Sequence, residues 1–224
     1  MTTSLTAAPR KHRTAKGAQR IEDLTSAAAE LFLERGFEAV AVDDLISRVG
    51  GSRSNVYTHF GGKEGLFEAA MLKVCAEMAE PLERLHIEEL DPERVLPSFG
   101  SELVKIALSP RTLAVHRMLT TEGGRFPKVA QTMLQSSYLK SLGLLARWIE
   151  SQQQKPHARL TDDVPAQALA EQFFSMVTND IKLRAIVGLV QTPLPEAAID
   201  VIVSRAVRTF LRGASTGSPC GEAP

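Results

Sequence analysis

The 224-residue chain carries 26 basic and 26 acidic residues and is 44% hydrophobic, which excludes a chain disordered throughout and leaves room for one compact body or two small packed domains. Neutrality hides an asymmetry, because residues 1–20 hold Arg10, Lys11, Arg13, Lys16 and Arg20 with no acid, a local +5 that the rest of the chain balances with −5. The two cysteines, Cys75 and Cys220, make neither a disulfide framework nor a metal-ligand spacing; no apolar run nears the ~18 residues that span a bilayer, and the N-terminus has no apolar signal core, so a reducing cytoplasm without membrane attachment is expected.

In chain order, Ile21, Leu24, Ala28, Leu31 and Phe32 recur at three- and four-residue steps, and Gly36 stands where a helix stops. Val42, Leu45, Ile46 and Val49 repeat the stripe over two turns and end at Gly50 and Gly51. Ser52 can then cap a third short helix with Val56 and Phe60 facing inward. Prolines and glycines divide the remainder into helical segments of about 63–90, 93–108, 111–122, 127–154, 164–190 and 196–212. No strand is expected: the β-branched runs lie in windows of helical period, so the fold class is all-α. The expected division is a flexible basic arm 1–18, a unit of three short helices 19–66, a larger helical body 67–212 and a flexible tail 213–224.

The stretch SRSNVYTHFGGKEGLF, Ser52 to Phe67, carries the most chemistry. With Val56 and Phe60 inward, the helix turns Arg53, Ser54, Asn55, Tyr57, Thr58 and His59 to other faces, a dense set of donors and acceptors on two turns. A short helix, a glycine turn and a second helix with this polar face is the arrangement in which the second helix enters the major groove of double-stranded DNA.

Residues 20–67 resemble the DNA-binding domain of the TetR family of transcriptional repressors, on Ala28, Leu31, Phe32, Gly36, Phe37, Val42, Leu45, Gly50, Ser52, Tyr57, His59, Phe60, Lys63, Glu64 and Leu66. The resemblance implies a homodimer of nine-helix subunits, the first three helices binding DNA and the last six enclosing an effector pocket and the dimer contact. Arg53, Ser54 and Asn55 then fall where bases are read, Arg suiting guanine and Asn adenine; Tyr57, His59 and Lys63 fall where the phosphate backbone is gripped. The arm from Arg10 to Lys16 is either a minor-groove reader or a solubility segment. Two departures stand out: Val40 and Ala41 replace hydroxyl residues that would cap the second helix, and Gly51 replaces an apolar residue in the turn.

The larger part of the chain says less. Phe99, Leu103, His116, Leu119, Met133, Tyr138, Trp148, Phe173, Met176 and Asn179 are the pocket candidates, although helical apolar stripes are core by default. His116, Tyr138 and Asn179 lead among them, being polar groups in apolar segments. A dimer seam is expected on Leu169, Phe173 and Val177 of one stripe and Ile199, Ile202, Val203, Ala206 and Phe210 of the next, unless both stripes face only their own subunit. The five histidines share no ligand spacing, and neither metal, cofactor nor catalysis is expected. The expected function is a ligand-responsive repressor on a pseudopalindromic operator, released by a small apolar or amphipathic effector. The alternative, a helical enzyme or small-molecule carrier, requires an acid, base or nucleophile constellation that the sequence does not display.

Overall fold

The computed structural model describes residues 11–50, 52–84, 87 and 91–214, and the chain divides into two compact units, Met1–Val74 and Cys75–Pro224. Gly51, Cys220, His86, the side chain of His12 and the basic side chains from Arg10 to Lys16 lie outside the described residues. Nine helices and no strand occur among the described residues, in agreement with the all-α reading.

In the first unit, α1 (Lys11–Ala39) keeps helical backbone up to Gly36, where φ of 81° and ψ of 167° turn the chain. The turn aims Phe37 back into the core. There it stacks on Phe32 at 5.8 Å between ring centroids, and Phe67 meets the two rings edge-on at 5.2 and 5.1 Å. Around this cluster Ala28, Leu31, Leu45, Val56 and Leu66 are all buried.

Helix α2 (Val42–Val49) follows Ala41, which has no side-chain acceptor for a cap; instead the Asp44 carboxylate accepts from the Ala41 backbone N–H at 3.2 Å. One half of the reciprocal cap thus survives without a hydroxyl. Helix α3 (Arg53–Phe60) is capped as expected, Ser52 Oγ accepting from the Asn55 N–H at 3.3 Å, and it closes on Gly61 in the left-handed conformation, φ 76°. Helix α4 (Lys63–Glu83) starts two residues after Gly61, and Gly65 in its first turn lies so close to α3 that an added Cβ would stand 1.8 Å from the Phe60 carbonyl oxygen.

The second unit comprises the end of α4, then α5 (Pro92–Ala107), α6 (Pro110–Glu122), α7, α8 (Ala166–Ile186) and α9 (Glu196–Ala214). Ser109 caps α6, its Oγ accepting from the Thr112 N–H at 3.1 Å. Helix α7 is one helical run made of Pro127–Met133, a π-helical Leu134–Leu139 and Lys140–Gln153. Helix α8 packs along α7 and against α5 and α9. Gly100 permits the closest approach: a Cβ there would stand 3.0 Å from Val203 Cγ1 and 3.3 Å from Phe173 Cζ. The chain between α7 and α8 is tied down by Gln153, whose Nε2 donates to the carbonyls of Thr161 and Val164 at 2.6 and 3.0 Å.

The residues expected at the dimer seam require a correction. Leu169, Phe173, Val177, Ile199, Val203, Ala206 and Phe210 are each at most 5% exposed within the unit's own core, and Ile202 is packed against that core. Phe173 and Phe210 meet edge-on at 5.3 Å. Helical period marks a face as buried without saying against what, and here the partner is the same unit. The large apolar side chains left exposed on α8 and α9 are Met176, Leu183 and Val201, with Val187 and Leu189 exposed just past the end of α8.

Candidate nucleic-acid interface and ligand cavity

Two places in the described residues concentrate functional chemistry. The first is α3. Val56 is fully buried and Phe60 half-buried, which fixes the rotation of the helix and leaves Arg53, Ser54, Tyr57, Thr58 and His59 exposed. Arg53 does not hang free: its Nε donates to Asp43 Oδ1 at 2.7 Å, and its Nη2 donates to Asp43 Oδ2. That guanidinium holds the Asp43 carboxyl below its ordinary range. Tyr57 is 61% exposed, and its ring edge leans over Gly62, where an added Cβ would stand 3.4 Å from Cε1.

Asn55 and His59, four residues apart, occupy a different side of α3. They share with Arg20, Ile21 and Leu24 of α1 and Ile46 and Val49 of α2 a cleft of about 620 Å³. Lys63 is folded back at the start of α4, its Nζ donating to the Glu38 carbonyl at 3.3 Å and lying 4.4 Å from the Phe37 ring centre. The expected base readers and phosphate contacts therefore split into an outward group, Arg53, Ser54 and Tyr57, a cleft pair, Asn55 and His59, and an anchored cation, Lys63. Sequence reasoning missed Asp43, whose pairing joins residues ten apart on two helices and has no periodic signature.

The second place is a cavity of about 310 Å³ in the second unit. Of the residues expected around a pocket, Leu103, His116, Leu119, Met133, Tyr138 and Asn179 line it. Phe99, Trp148 and Phe173 do not: each is at most 3% exposed and belongs to the core, Phe99 standing behind the lining residue Phe174 at 5.9 Å. Met176 is 45% exposed on the opposite face of α8. Their apolar character gave no means of separating a wall from the packing behind it.

The polar lining was largely unread. Thr112, Ser137, Ser141, Thr178 and Lys182 all face the cavity. Thr178 and Ser137 donate their hydroxyl protons to their own helices, to the carbonyls of Phe174 and Met133, each at 2.8 Å. Ser137 and Tyr138 reach the cavity from the π-helical turn of α7, a local widening of the kind that recurs at functional sites. Burial, with Lys182 nearby, brings the His116 imidazole down to about 4, and burial also lowers the Lys182 ammonium. Tyr138 is raised by burial and by the Glu171 carboxylate, so it remains a phenol.

Cys75 is inert by position. It is buried on α4, its thiol pushed up to about 11 by burial against smaller opposing effects of Ser137 and Ser136. Among the described residues no group of three or more His, Cys, Asp or Glu could hold a metal ion, and no helix is long and apolar enough to cross a membrane.

The comparisons with known proteins fall on both units. Residues 24–70 match the family model for bacterial regulatory proteins of the tetR family, and residues 94–213, more than half of the chain, match the C-terminal domain of AefR-like transcriptional repressors. The HTH-type transcriptional regulator UidR of Escherichia coli K12 is 29% identical over 136 residues, 59% of this chain and 65% of UidR, so the chain matches just under two thirds of that relative's length. The HTH-type transcriptional repressor AcnR of Corynebacterium glutamicum is 34% identical over 79 residues, 33% of this chain and 42% of AcnR. Among solved structures, the flavonoid-responsive regulator FrrA superposes with a TM-score of 0.73 at 26% identity, covering 90% of this chain and 100% of FrrA. A TetR-family regulator from Mesorhizobium loti superposes with a TM-score of 0.80 over 90% of this chain and 99% of that one, at 19% identity, a likeness of fold. The chain belongs to the TetR family of bacterial transcriptional regulators.

Proposed function

We propose that the protein is a cytoplasmic, ligand-responsive transcriptional repressor, without catalytic activity, that binds a pseudopalindromic DNA operator as a homodimer. The observation that carries the reading is α3: a short capped helix behind a glycine turn, held by Val56 and presenting Arg53, Ser54, Tyr57 and Thr58 to solvent. Such a face supplies donors and acceptors for base edges and phosphates on one surface.

In this reading Arg53 and Ser54 read bases, Asn55 joins them from the cleft side, and Tyr57, His59 and Lys63 position the helix on the backbone. Lys63 spends one N–H on the Glu38 carbonyl and keeps others for a phosphate. Two subunits would place two α3 helices about 34 Å apart, one turn of the duplex, which is why the operator is expected to be an inverted repeat. Leu183 on α8, Val187 just past its end and Val201 on α9, all uncovered, are the proposed subunit contact.

The effector site is the cavity bounded by Leu103, His116, Leu119, Met133, Tyr138 and Asn179. The description of FrrA as flavonoid-responsive supports a small amphipathic organic effector. Release follows if the effector favours the form with lower operator affinity, and linkage then requires the operator to weaken effector binding by the same factor. A mobility-shift and footprinting experiment on DNA flanking the gene tests the reading. A protected inverted repeat is the expected result, and salt-insensitive or absent binding would overturn it.

A further inference from the structure

The lining of the cavity is electrostatically lopsided. On α8, Phe174, Thr178 and Lys182 follow one another at four-residue steps, so a single stripe runs from an aromatic ring to an ammonium group. Lys182 is half-buried, and neither a carboxylate nor a hydrogen-bond acceptor of the described residues engages its side chain. Three other cations of this unit are paired: Arg184 with Asp180 at 3.0 Å, Lys105 with Glu196 at 3.0 Å and Arg111 with Glu77 at 2.7 Å. A cation drawn out of water without a counter-ion is costly unless something supplies the charge.

The donor inventory points the same way. Thr178 and Ser137 have spent their protons on backbone carbonyls and offer the cavity only acceptor lone pairs. The donors at the Lys182 end include its ammonium, an N–H of neutral His116 and the Asn179 amide. The Glu171 carboxylate acts on Tyr138, and it sits eleven residues before Lys182 on α8, ~16 Å along the helix axis. One end of the site is therefore cationic and the other is not, with apolar wall between them. At about 310 Å³ the space falls at the small end of the ~300–1,000 Å³ typical of ligand pockets.

We propose that this cavity takes an acidic amphipathic small molecule, an apolar body bearing one oxyanion, with the oxyanion held by Lys182 and His116 and the apolar body lying toward Phe174 and Met133. This names the charge class of the effector and rests on the reading of the cavity as the effector site. Carboxylates and acidic phenols share the required chemistry. A neutral hydrophobe of the same shape would leave the half-buried ammonium without a partner and bind less tightly.

The test uses the full chain, without DNA, and a matched pair of fluorescent probes: 1-anilinonaphthalene-8-sulfonate and its uncharged counterpart N-phenyl-1-naphthylamine. The anionic probe should bind at least tenfold more tightly. Lys182→Met should erase that advantage while changing the neutral probe less than twofold, and Lys182→Arg should retain it; Leu119→Trp, narrowing the cavity, should weaken both probes and so locate them. Melting curves establish that each variant is folded. Displacement of the anionic probe by 1-naphthoate but not 4-nitrophenolate assigns a carboxylate, and the converse assigns a phenolate. Equal affinity of the two probes, an unaltered advantage in Lys182→Met, or displacement by neither competitor overturns the proposal. Because no operator is present, failure here leaves the DNA-binding reading standing, and failure of the mobility shift leaves the anion site standing.

Discussion

Arg53 on α3 and Asp43 on α2 meet side-on, the arginine Nε donating to Asp43 Oδ1 at 2.7 Å and Nη2 to Oδ2. This geometry occupies the Nε edge of the guanidinium and leaves free the end-on edge between Nη1 and Nη2, the one that matches O6 and N7 of guanine. The pair is exposed and contributes little to stability; its value lies in holding a long side chain in one conformation before DNA arrives. Asp43→Asn should therefore flatten the preference for guanine at one operator position by about five- to tenfold, at the low end of the ~1–3 kcal/mol carried by a good bidentate contact. It should also tighten sequence-independent binding, since a negative charge leaves the interface. Competition against single-base operator variants measures both effects, and unaltered base preference would show that Arg53 needs no such support.

Gly65 sets the approach of α4 to α3. An added Cβ would stand 1.8 Å from the Phe60 carbonyl oxygen, and backbone cannot rotate away as a flexible side chain can. Gly65→Ala is expected to cost about 1–3 kcal/mol and to lower operator affinity by displacing α3. Gly17→Ala is the control: it lies in α1 with nothing within 4 Å, and it should be neutral or stabilising by about 0.5–1 kcal/mol. Thermal melts and mobility shifts on the two variants separate the effects; a Gly65→Ala protein as stable as the parent would show that the contact yields.

The corrected seam gives a sharper pair of variants. Phe210 is 2% exposed and packed edge-on to Phe173, so Phe210→Glu should unfold the second unit rather than simply separate subunits. Leu183→Glu, at 61% exposure, should leave the melting temperature of the subunit nearly unchanged while dissociating the proposed dimer and abolishing operator binding with it. Light scattering beside circular dichroism distinguishes these outcomes. A Leu183→Glu protein that stays dimeric would place the contact elsewhere.

What could be read in advance follows from the range of each interaction. Helix starts and stops at Gly36, Ser52, Gly61 and Pro110 are set by residues within one turn, and they are legible because capping and glycine conformation are local. Apolar period likewise placed Leu31, Leu45 and Val56 in a core. It could not say which face of α8 and α9 was left over, because Phe173 and Met176 both belong to a helix apolar on several sides. The Arg53–Asp43 pair and the unpaired Lys182 depend on the packing of separate helices, and the π-helical turn at Leu134–Leu139 has no composition of its own.

The His116 site should be visible in the pH dependence of stability. Its imidazole is brought from about 6.5 to about 4 by burial and, secondarily, by Lys182 on α8, so between those values the unfolded chain binds a proton that the folded one refuses. Stability rises with pH wherever the unfolded state holds more protons, so the contribution is complete above about 6.5 and is lost as pH falls toward about 4. His116→Gln removes the titration while keeping a neutral polar side chain. The melting temperature of the parent should therefore fall more steeply than that of the variant between pH 7 and pH 4.5, the two curves running parallel above pH 7. Carboxylates that titrate in the same window are common to both proteins and cancel in the difference. Parallel curves across the whole range would mean that His116 is solvated well enough to protonate in place, and with it the neutral N–H donor assigned to the cationic end of the cavity would be lost.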